Sequence, residues 1–181
     1  IEKLHLSYTD PDGHNNFPGT VSAEVTYALL ENNALEITYR AHTDKATPFN
    51  PTNHCYFNLA GESTGASTLL DHIVQIDATA TAKTTEEMTL IGEKSELIKG
   101  FNDLRNPIRI GDLSELNNRN VDSHYFLKGG RTQLPRHVAT VSHPQSKRIF
   151  KLWTTEPGVQ FYTAINLSTE GLDLGKNHKA Y

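Results

Sequence analysis

The chain of 181 residues is poor in several residue types, with one cysteine, one methionine and one tryptophan. Because Cys55 is its sole cysteine, no internal disulfide is possible, which favours a reducing compartment and predicts a cytoplasmic location. No apolar run is long enough to cross a bilayer, so no membrane partner is expected. Lys and Arg number 17 against 21 Asp and Glu, and a net charge of −4 without a basic cluster argues against a nucleic-acid partner.

Motifs that would indicate other chemistries are missing as well. The nine histidines form no His-x-His pair and no His-Glu-x-x-His motif, so no metal site is predicted. The chain has neither a glycine-rich phosphate loop nor a Gly-x-Ser-x-Gly motif. No helical period persists for three turns anywhere, which argues against a helical fold.

What the sequence does contain is a series of short strand patterns separated by turn residues. Alternation over residues 21–29 and 35–41, with a connection at 31–34, predicts a two-stranded antiparallel ribbon with one apolar face. Further strands are predicted at 71–77, 88–92, 121–127, 138–142, 148–154 and 159–163. Residues 78–87 are rich in Thr and Ala with few apolar anchors, so we expect them to be irregular. The pattern predicts an all-β sandwich or barrel, and the length fits one domain over residues 1–181.

Residues 52–59 form the stretch with the most chemical content, and their aromatic, alternating pattern predicts a strand. One face of this strand would carry Thr52, His54, Tyr56 and Asn58. The other would carry Asn53, Cys55, Phe57 and Leu59 and pack on a core. A polar and aromatic face with a central histidine is typical of a cleft for a polar, ring-shaped ligand. The alternative is a structural histidine whose hydrogen bonds are satisfied within the fold.

Two later strands also carry polar groups on one face. Alternation places Asp122, His124 and Phe126 together, and a carboxylate at a strand start can accept hydrogen bonds from paired sugar hydroxyls. The alternative for Asp122 is a turn or cap residue. Gln160 and Tyr162 share a face of the last strand, where an amide and a phenol suit hydroxyl recognition. The alternative is an ordinary exposed strand face.

Taken in order, the motifs of the chain resemble those of the aldose 1-epimerase family, also called galactose mutarotases. The core of the resemblance is Asn53-His54-Cys55-Tyr56-Phe57-Asn58-Leu59, an Asn-His-x-Tyr-Phe-Asn-Leu motif that is specific to the family. The other matching segments are 7–13, 17–20, 25–27, 47–48 with Asn50, 60–61, 101–105, 121–122 and 154–163. The resemblance therefore runs over essentially the whole chain.

The resemblance implies a β-sandwich of large antiparallel sheets and an enzyme that interconverts the α and β anomers of free aldohexoses such as galactose and glucose, without a cofactor. It implies that His54 is the general acid that protonates the ring oxygen, and histidine suits proton transfer near neutral pH. Asp122 and Gln160 match the positions that bind sugar hydroxyls. Asn53 is a further substrate-binding candidate, with loop geometry as its alternative. The resemblance does not indicate an oligomeric state.

Some family features are absent from these residues. The family usually has a histidine after the binding aspartate, where this chain has Ser123. Its sugar-binding arginine and second histidine, and its catalytic glutamate within a Glu-Thr-Gln segment, have no match in the chain. We therefore expect a central-to-C-terminal part of such an enzyme, truncated at both ends and inactive on its own because it lacks the general base. The alternative function is a non-catalytic carbohydrate-binding or sugar-sensing protein of the same fold.

Overall fold

The computed structural model describes residues 2–61, 66–113 and 121–164, and its regular structure is almost entirely β. The strands are β1 Glu2–Asp10, β2 Val21–Leu30, β3 Ala34–Thr43, β4 Ile73–Ile76, β5 Ala78–Thr84, β6 Leu90–Ser95, β7 Ile108–Arg109, β8 Asp122–Leu127, β9 Arg136–His143, β10 Arg148–Thr154 and β11 Gly158–Tyr162. Short 3₁₀ turns occupy His14–Asn16, Glu31–Asn33, Ala66–Asp71 and Ile110–Asp112. Within the described ranges, no helix is long and apolar enough to span a bilayer. The predicted all-β class is confirmed.

The chain divides into two compact units, of which the first ends at Tyr56 and the second begins at Phe57. The first unit contains a three-stranded antiparallel sheet with β2 between β1 and β3. Direct antiparallel partners point to the same side, so the register aligns apolar side chains from all three strands on one face. These are Leu4, Leu6, Val25, Tyr27, Ile37 and Tyr39.

The predicted ribbon of β2 and β3 is therefore confirmed but incomplete, because β1 adds a third strand that pairs with all of β2 except Leu30. The connection between β2 and β3 lies where the sequence predicted it. Asn32 and Asn33 adopt φ values of 64° and 57° there. This is the left-handed region, which asparagine tolerates better than most residues.

The second unit contains two four-stranded antiparallel sheets, with strand orders β10-β9-β4-β7 and β11-β8-β5-β6. The chain passes from one sheet to the other at Asp77, between β4 and β5. The Asp77 amide donates to the Val138 carbonyl at 2.8 Å, and its carbonyl accepts from the Lys128 amide at 3.0 Å. The polar backbone of this corner is thereby satisfied.

Both sheets of the second unit contribute to one hydrophobic core. Val74, Ile76 and Val138 come from the first sheet, and Tyr125 and Leu127 from the second. Tyr125 has no exposed surface, and its hydroxyl donates to the Asn102 carbonyl at 3.1 Å. Because inward side chains of two sheets fill one core, the second unit has the predicted architecture of a sandwich of antiparallel sheets. That residues 1–181 form a single domain stays a prediction.

The expectation that residues 78–87 are irregular is wrong for most of that segment. Ala78–Thr84 forms β5, which lies between β8 and β6 in its sheet. Ala78, Ala80 and Thr81 are at most 9% exposed. Small side chains suit a strand in the middle of a packed sheet, yet they produce little hydrophobic periodicity, so pairing with neighbours decided the structure here. Strand β6 begins at Leu90, two residues later than predicted.

The prediction that residues 52–59 form a strand is also wrong. The segment has no regular structure before the turn at Leu59 and Ala60. The side-chain oxygen of Asn53 accepts a hydrogen bond from the Cys55 amide at 3.1 Å, and such local bonds compete with a strand ladder. Pro51 lacks the amide that a ladder would need. Cys55 and Phe57 are exposed, so the expected core-facing side of the strand does not exist.

Candidate active site

The polar face of the second sheet is built by the antiparallel pair β8 and β11. Their register places Tyr162 opposite Asp122, Gln160 opposite His124, and Gly158 opposite Phe126. Direct antiparallel partners share a face. The sequence predicted one polar face on β8 and another on β11. In the structure these two faces lie on the same side of one sheet.

Asp122 and Gln160 are joined directly. The Gln160 side-chain amide donates from Nε2 to Asp122 Oδ1 at 2.7 Å. This bond runs diagonally across the strand pair, because the direct partner of Asp122 is Tyr162. The carboxylate and the amide form one polar group at the start of β8, where the sequence analysis placed hydroxyl-binding residues.

The opposite face of the same strands packs on the core and supports this polar group. Ser123 and Tyr125 point to this opposite face, and their direct partners on β11 are Phe161 and Val159. Val159 and Phe161 pack against the core cluster that contains Tyr125. A functional group on a strand that is packed on its other side is held more firmly than one on a loop. The alternation of β11 that placed Gln160 away from the core is thereby confirmed.

His124 lies between Asp122 and Phe126 on the polar face. Its ring meets the Phe126 ring edge-on, with centroids 5.3 Å apart. The Lys94 Nζ atom of β6 lies 4.6 Å from the centroid of the same Phe126 ring. Partial burial lowers the pKa of His124 below the ordinary histidine value. The alternation of the sequence predicts His124 on this face without indicating a role for it, although its spacing of two residues from Asp122 was a usable signal.

His54 and Asn53 lie in the irregular loop near the end of the first unit, whereas Asp122 and Gln160 belong to the second. The His54 ring packs beside the Tyr56 ring with centroids 5.4 Å apart, and His54 is exposed. Their proposed roles in sugar chemistry stay predictions. Within the described residues, no three His, Cys, Asp or Glu side chains gather as ligands for a metal ion.

The turn at Leu59 and Ala60, which follows this loop, is held by three side chains of the second unit, of which His72 is buried. The Leu59 amide donates to His72 Nε2 at 3.0 Å, and the Leu59 carbonyl accepts from Ser146 Oγ at 2.6 Å and from Arg148 Nη1 at 3.0 Å. His72 is 4% exposed and its ring packs against that of His143, with centroids 5.0 Å apart. Burial is the main cause that lowers the pKa of His72.

Comparison with known proteins connects this chain to one family. The family described as Aldose 1-epimerase matches residues 2–179. The chain is 37% identical to galactose mutarotase of Bos taurus over 179 residues, which is 98% of this chain and 50% of the relative. It is 36% identical to aldose 1-epimerase of Escherichia coli K12 over 163 residues, which is 87% of this chain and 46% of the relative.

Solved structures agree with the sequence relatives. A galactose 1-epimerase from Lactobacillus acidophilus aligns with a TM-score of 0.63 and 30% identity, covering 77% of this chain and 41% of that one. An aldose epimerase homologue from C. elegans aligns with a TM-score of 0.81 and 20% identity, covering 99% of this chain and 53% of that one, and shares its fold.

The chain belongs to the aldose 1-epimerase family, as the resemblance in its sequence motifs predicted. It spans about half the length of the curated relatives that it matches.

Proposed function

We propose that the protein carrying this chain is an aldose 1-epimerase that interconverts the α and β anomers of free hexoses such as galactose and glucose. The observation that carries the proposal is the hydrogen-bonded pair of Asp122 and Gln160, on the polar face of a chain that belongs to this family. A carboxylate and an amide together accept and donate hydrogen bonds, which matches the needs of neighbouring sugar hydroxyls.

In the proposed reaction, a base takes the proton of the C1 hydroxyl while an acid protonates the ring oxygen. The ring opens to the aldehyde, the C1–C2 bond rotates, and the ring closes on the other face. We assign the acid to His54, because an imidazole can deliver and recover a proton near neutral pH. Asp122, Gln160 and Asn53 bind hydroxyls. We assign the base to no residue of this chain, and the chemistry needs proton transfer alone, without a cofactor.

The proposed location is the cytoplasm. Mutarotation acts on free sugars, and the exposed thiol of Cys55 fits a reducing compartment. Fractionation of cells that produce the protein would test this, and recovery of the protein in a secreted or membrane fraction would contradict it.

Polarimetry of freshly dissolved α-galactose tests the activity. The complete protein that carries this chain, called the unmodified protein below, should accelerate the change in optical rotation, and His54→Ala in it should lower kcat by about 10²–10⁴-fold, the usual worth of a general acid. Unchanged kcat in His54→Ala would refute the assignment of the acid. Galactose binding without acceleration in the unmodified protein would favour the alternative of a non-catalytic sugar-binding protein.

Asp122→Asn separates binding from proton transfer. Loss of a charge-assisted hydrogen bond should weaken the binding of galactose by about 0.5–3 kcal/mol and raise KM, while the pH dependence of kcat stays as it is in the unmodified protein. A changed pH dependence together with an unchanged KM would show that Asp122 transfers the proton and does not bind the sugar.

A further inference from the structure

His124 occupies a central position on the polar face of the β8–β11 pair. It lies two residues along β8 from Asp122 and directly opposite Gln160 on β11. Asp122 and Gln160 bond to each other diagonally across the same strand pair. Direct partners on one face have Cβ atoms about 4.5–5.5 Å apart, so a sugar bound at that pair lies within reach of the side chain of His124.

The imidazole is held in one place by its neighbours. An added Cβ atom at Gly158 would lie 2.2 Å from His124 Nε2 and 2.5 Å from its Cε1, so the ring fills the space that a side chain at residue 158 would take. The edge of the Phe126 ring packs against the same imidazole. A polar group held in this way loses little conformational entropy when it binds a ligand, which favours recognition.

The hydrogen-bonding capacity of the ring is unused within residues 2–61, 66–113 and 121–164, where no hydrogen bond or ion pair joins His124 to another group. Partial burial lowers the pKa of His124, so the neutral ring predominates near neutral pH. A neutral imidazole has one donor and one acceptor nitrogen. A sugar hydroxyl also donates and accepts, so the two groups are complementary.

We propose that His124 is a further substrate-binding residue, which hydrogen-bonds a sugar hydroxyl adjacent to those bound by Asp122 and Gln160. The inference rests on the proposed function, since it takes a free aldose as the ligand of this face. It deepens that proposal by assigning recognition of one particular hydroxyl to a residue that neither the family motifs nor the sequence analysis singled out.

The test compares galactose with a set of monodeoxy galactoses, each lacking a different hydroxyl. His124→Phe keeps an aromatic ring beside Gly158 and removes both nitrogens. We expect it to raise KM for galactose by about 3- to 10-fold with little change in kcat, the loss typical of one neutral hydrogen bond. With the one deoxy sugar that lacks the bound hydroxyl, His124→Phe and the unmodified protein should have the same KM. His124→Gln, which keeps a donor and an acceptor, should raise KM for galactose less than His124→Phe does.

Two controls keep packing effects apart from hydroxyl recognition. His137→Phe makes the same substitution at a histidine of β9 that packs against Trp153, and it should leave all KM values unchanged. Heteronuclear NMR of the imidazole in the unmodified protein should show that the ring resonances of His124 shift when galactose is added, which does not depend on whether a variant folds. If His124→Phe raised KM by the same factor for every sugar, or if galactose left the ring resonances of His124 unmoved, the proposal would be overturned.

Failure of this inference is distinguishable from failure of the proposed function. Suppose that the unmodified protein accelerates mutarotation and that, for every sugar, the KM of His124→Phe equals that of the unmodified protein. The proposed function then stands and the role of His124 is refuted. If the unmodified protein binds galactose in calorimetry without accelerating mutarotation, the enzymatic function fails. Weaker binding of galactose to His124→Phe, measured in the same calorimeter, would then still support the role of His124, and equal binding would refute it.

Discussion

Replacement of Gly158 by alanine gives the sharpest test of how the polar face is packed. The backbone of Gly158 is outside the left-handed region, so alanine meets no intrinsic strain there. The new methyl group would instead lie 2.2 Å from His124 Nε2 and 3.1 Å from the Tyr125 carbonyl oxygen. The first distance is far below van der Waals contact, so the imidazole has to leave its position. Overpacking of this kind costs about 1–3 kcal/mol, and we expect Gly158→Ala to lower the free energy of unfolding by that amount.

A double-mutant cycle measured by urea unfolding shows whether the clash is with His124. In a His124→Ala background the obstructing ring is gone, so Gly158→Ala should cost about 1 kcal/mol less than it does alone. Gly92→Ala is the matched control, because Gly92 has a φ of +79° and no atom within 4 Å of an added Cβ. Its cost comes from backbone strain and should be the same in both backgrounds. If Gly158→Ala also costs the same in both backgrounds, the packing argument for His124 is refuted.

Two further predictions concern the core of the second unit. The pKa of His72, which has His143 and Asp71 as charged or titratable neighbours, is lowered mainly by burial. As the pH falls, the unfolded chain therefore binds a proton at this residue before the folded chain does. The free energy of unfolding should be unaffected by His72 above about pH 7 and should fall as the pH drops below about 6.5. Thermal unfolding should therefore show a smaller loss between pH 7.5 and about pH 5.5 for His72→Gln than for the unmodified protein, and equal losses would contradict the assignment. Tyr125→Phe removes the hydroxyl that donates to the Asn102 carbonyl and should cost about 1–3 kcal/mol in urea unfolding; a cost near zero would show that this buried bond contributes nothing net.

Several features of this chain followed from local sequence pattern. The strands around Val25, Ile37 and Leu152 were predictable because each carries apolar residues at a spacing of two, and a half-buried strand needs that spacing. The connection between β2 and β3 was predictable because Asn32 and Asn33 are residues that favour turns. The separate polar faces that contain Asp122 and Gln160 followed from the same alternation.

Other features depended on contacts between distant parts of the chain. The sequence favoured a strand at residues 52–59, but a strand needs a partner ladder, and the Asn53 side chain binds its own neighbouring backbone instead. The opposite error occurred at β5, whose small residues show little periodicity and form a strand because β6 and β8 supply hydrogen bonds on both sides.

The candidate site likewise combines features that follow from local sequence pattern with features that depend on contacts between distant residues. Residue type and alternation determined that Asp122, His124 and Gln160 would be polar groups on strand faces, and the family motif singled out His54. Register decided that Gln160 reaches Asp122 at 2.7 Å across the β8–β11 pair. It also decided that the His124 ring takes the space left by the missing side chain of Gly158. The register joins residues more than thirty positions apart and is set by how both strands pack on the core around Tyr125, so no local pattern in the sequence contains it.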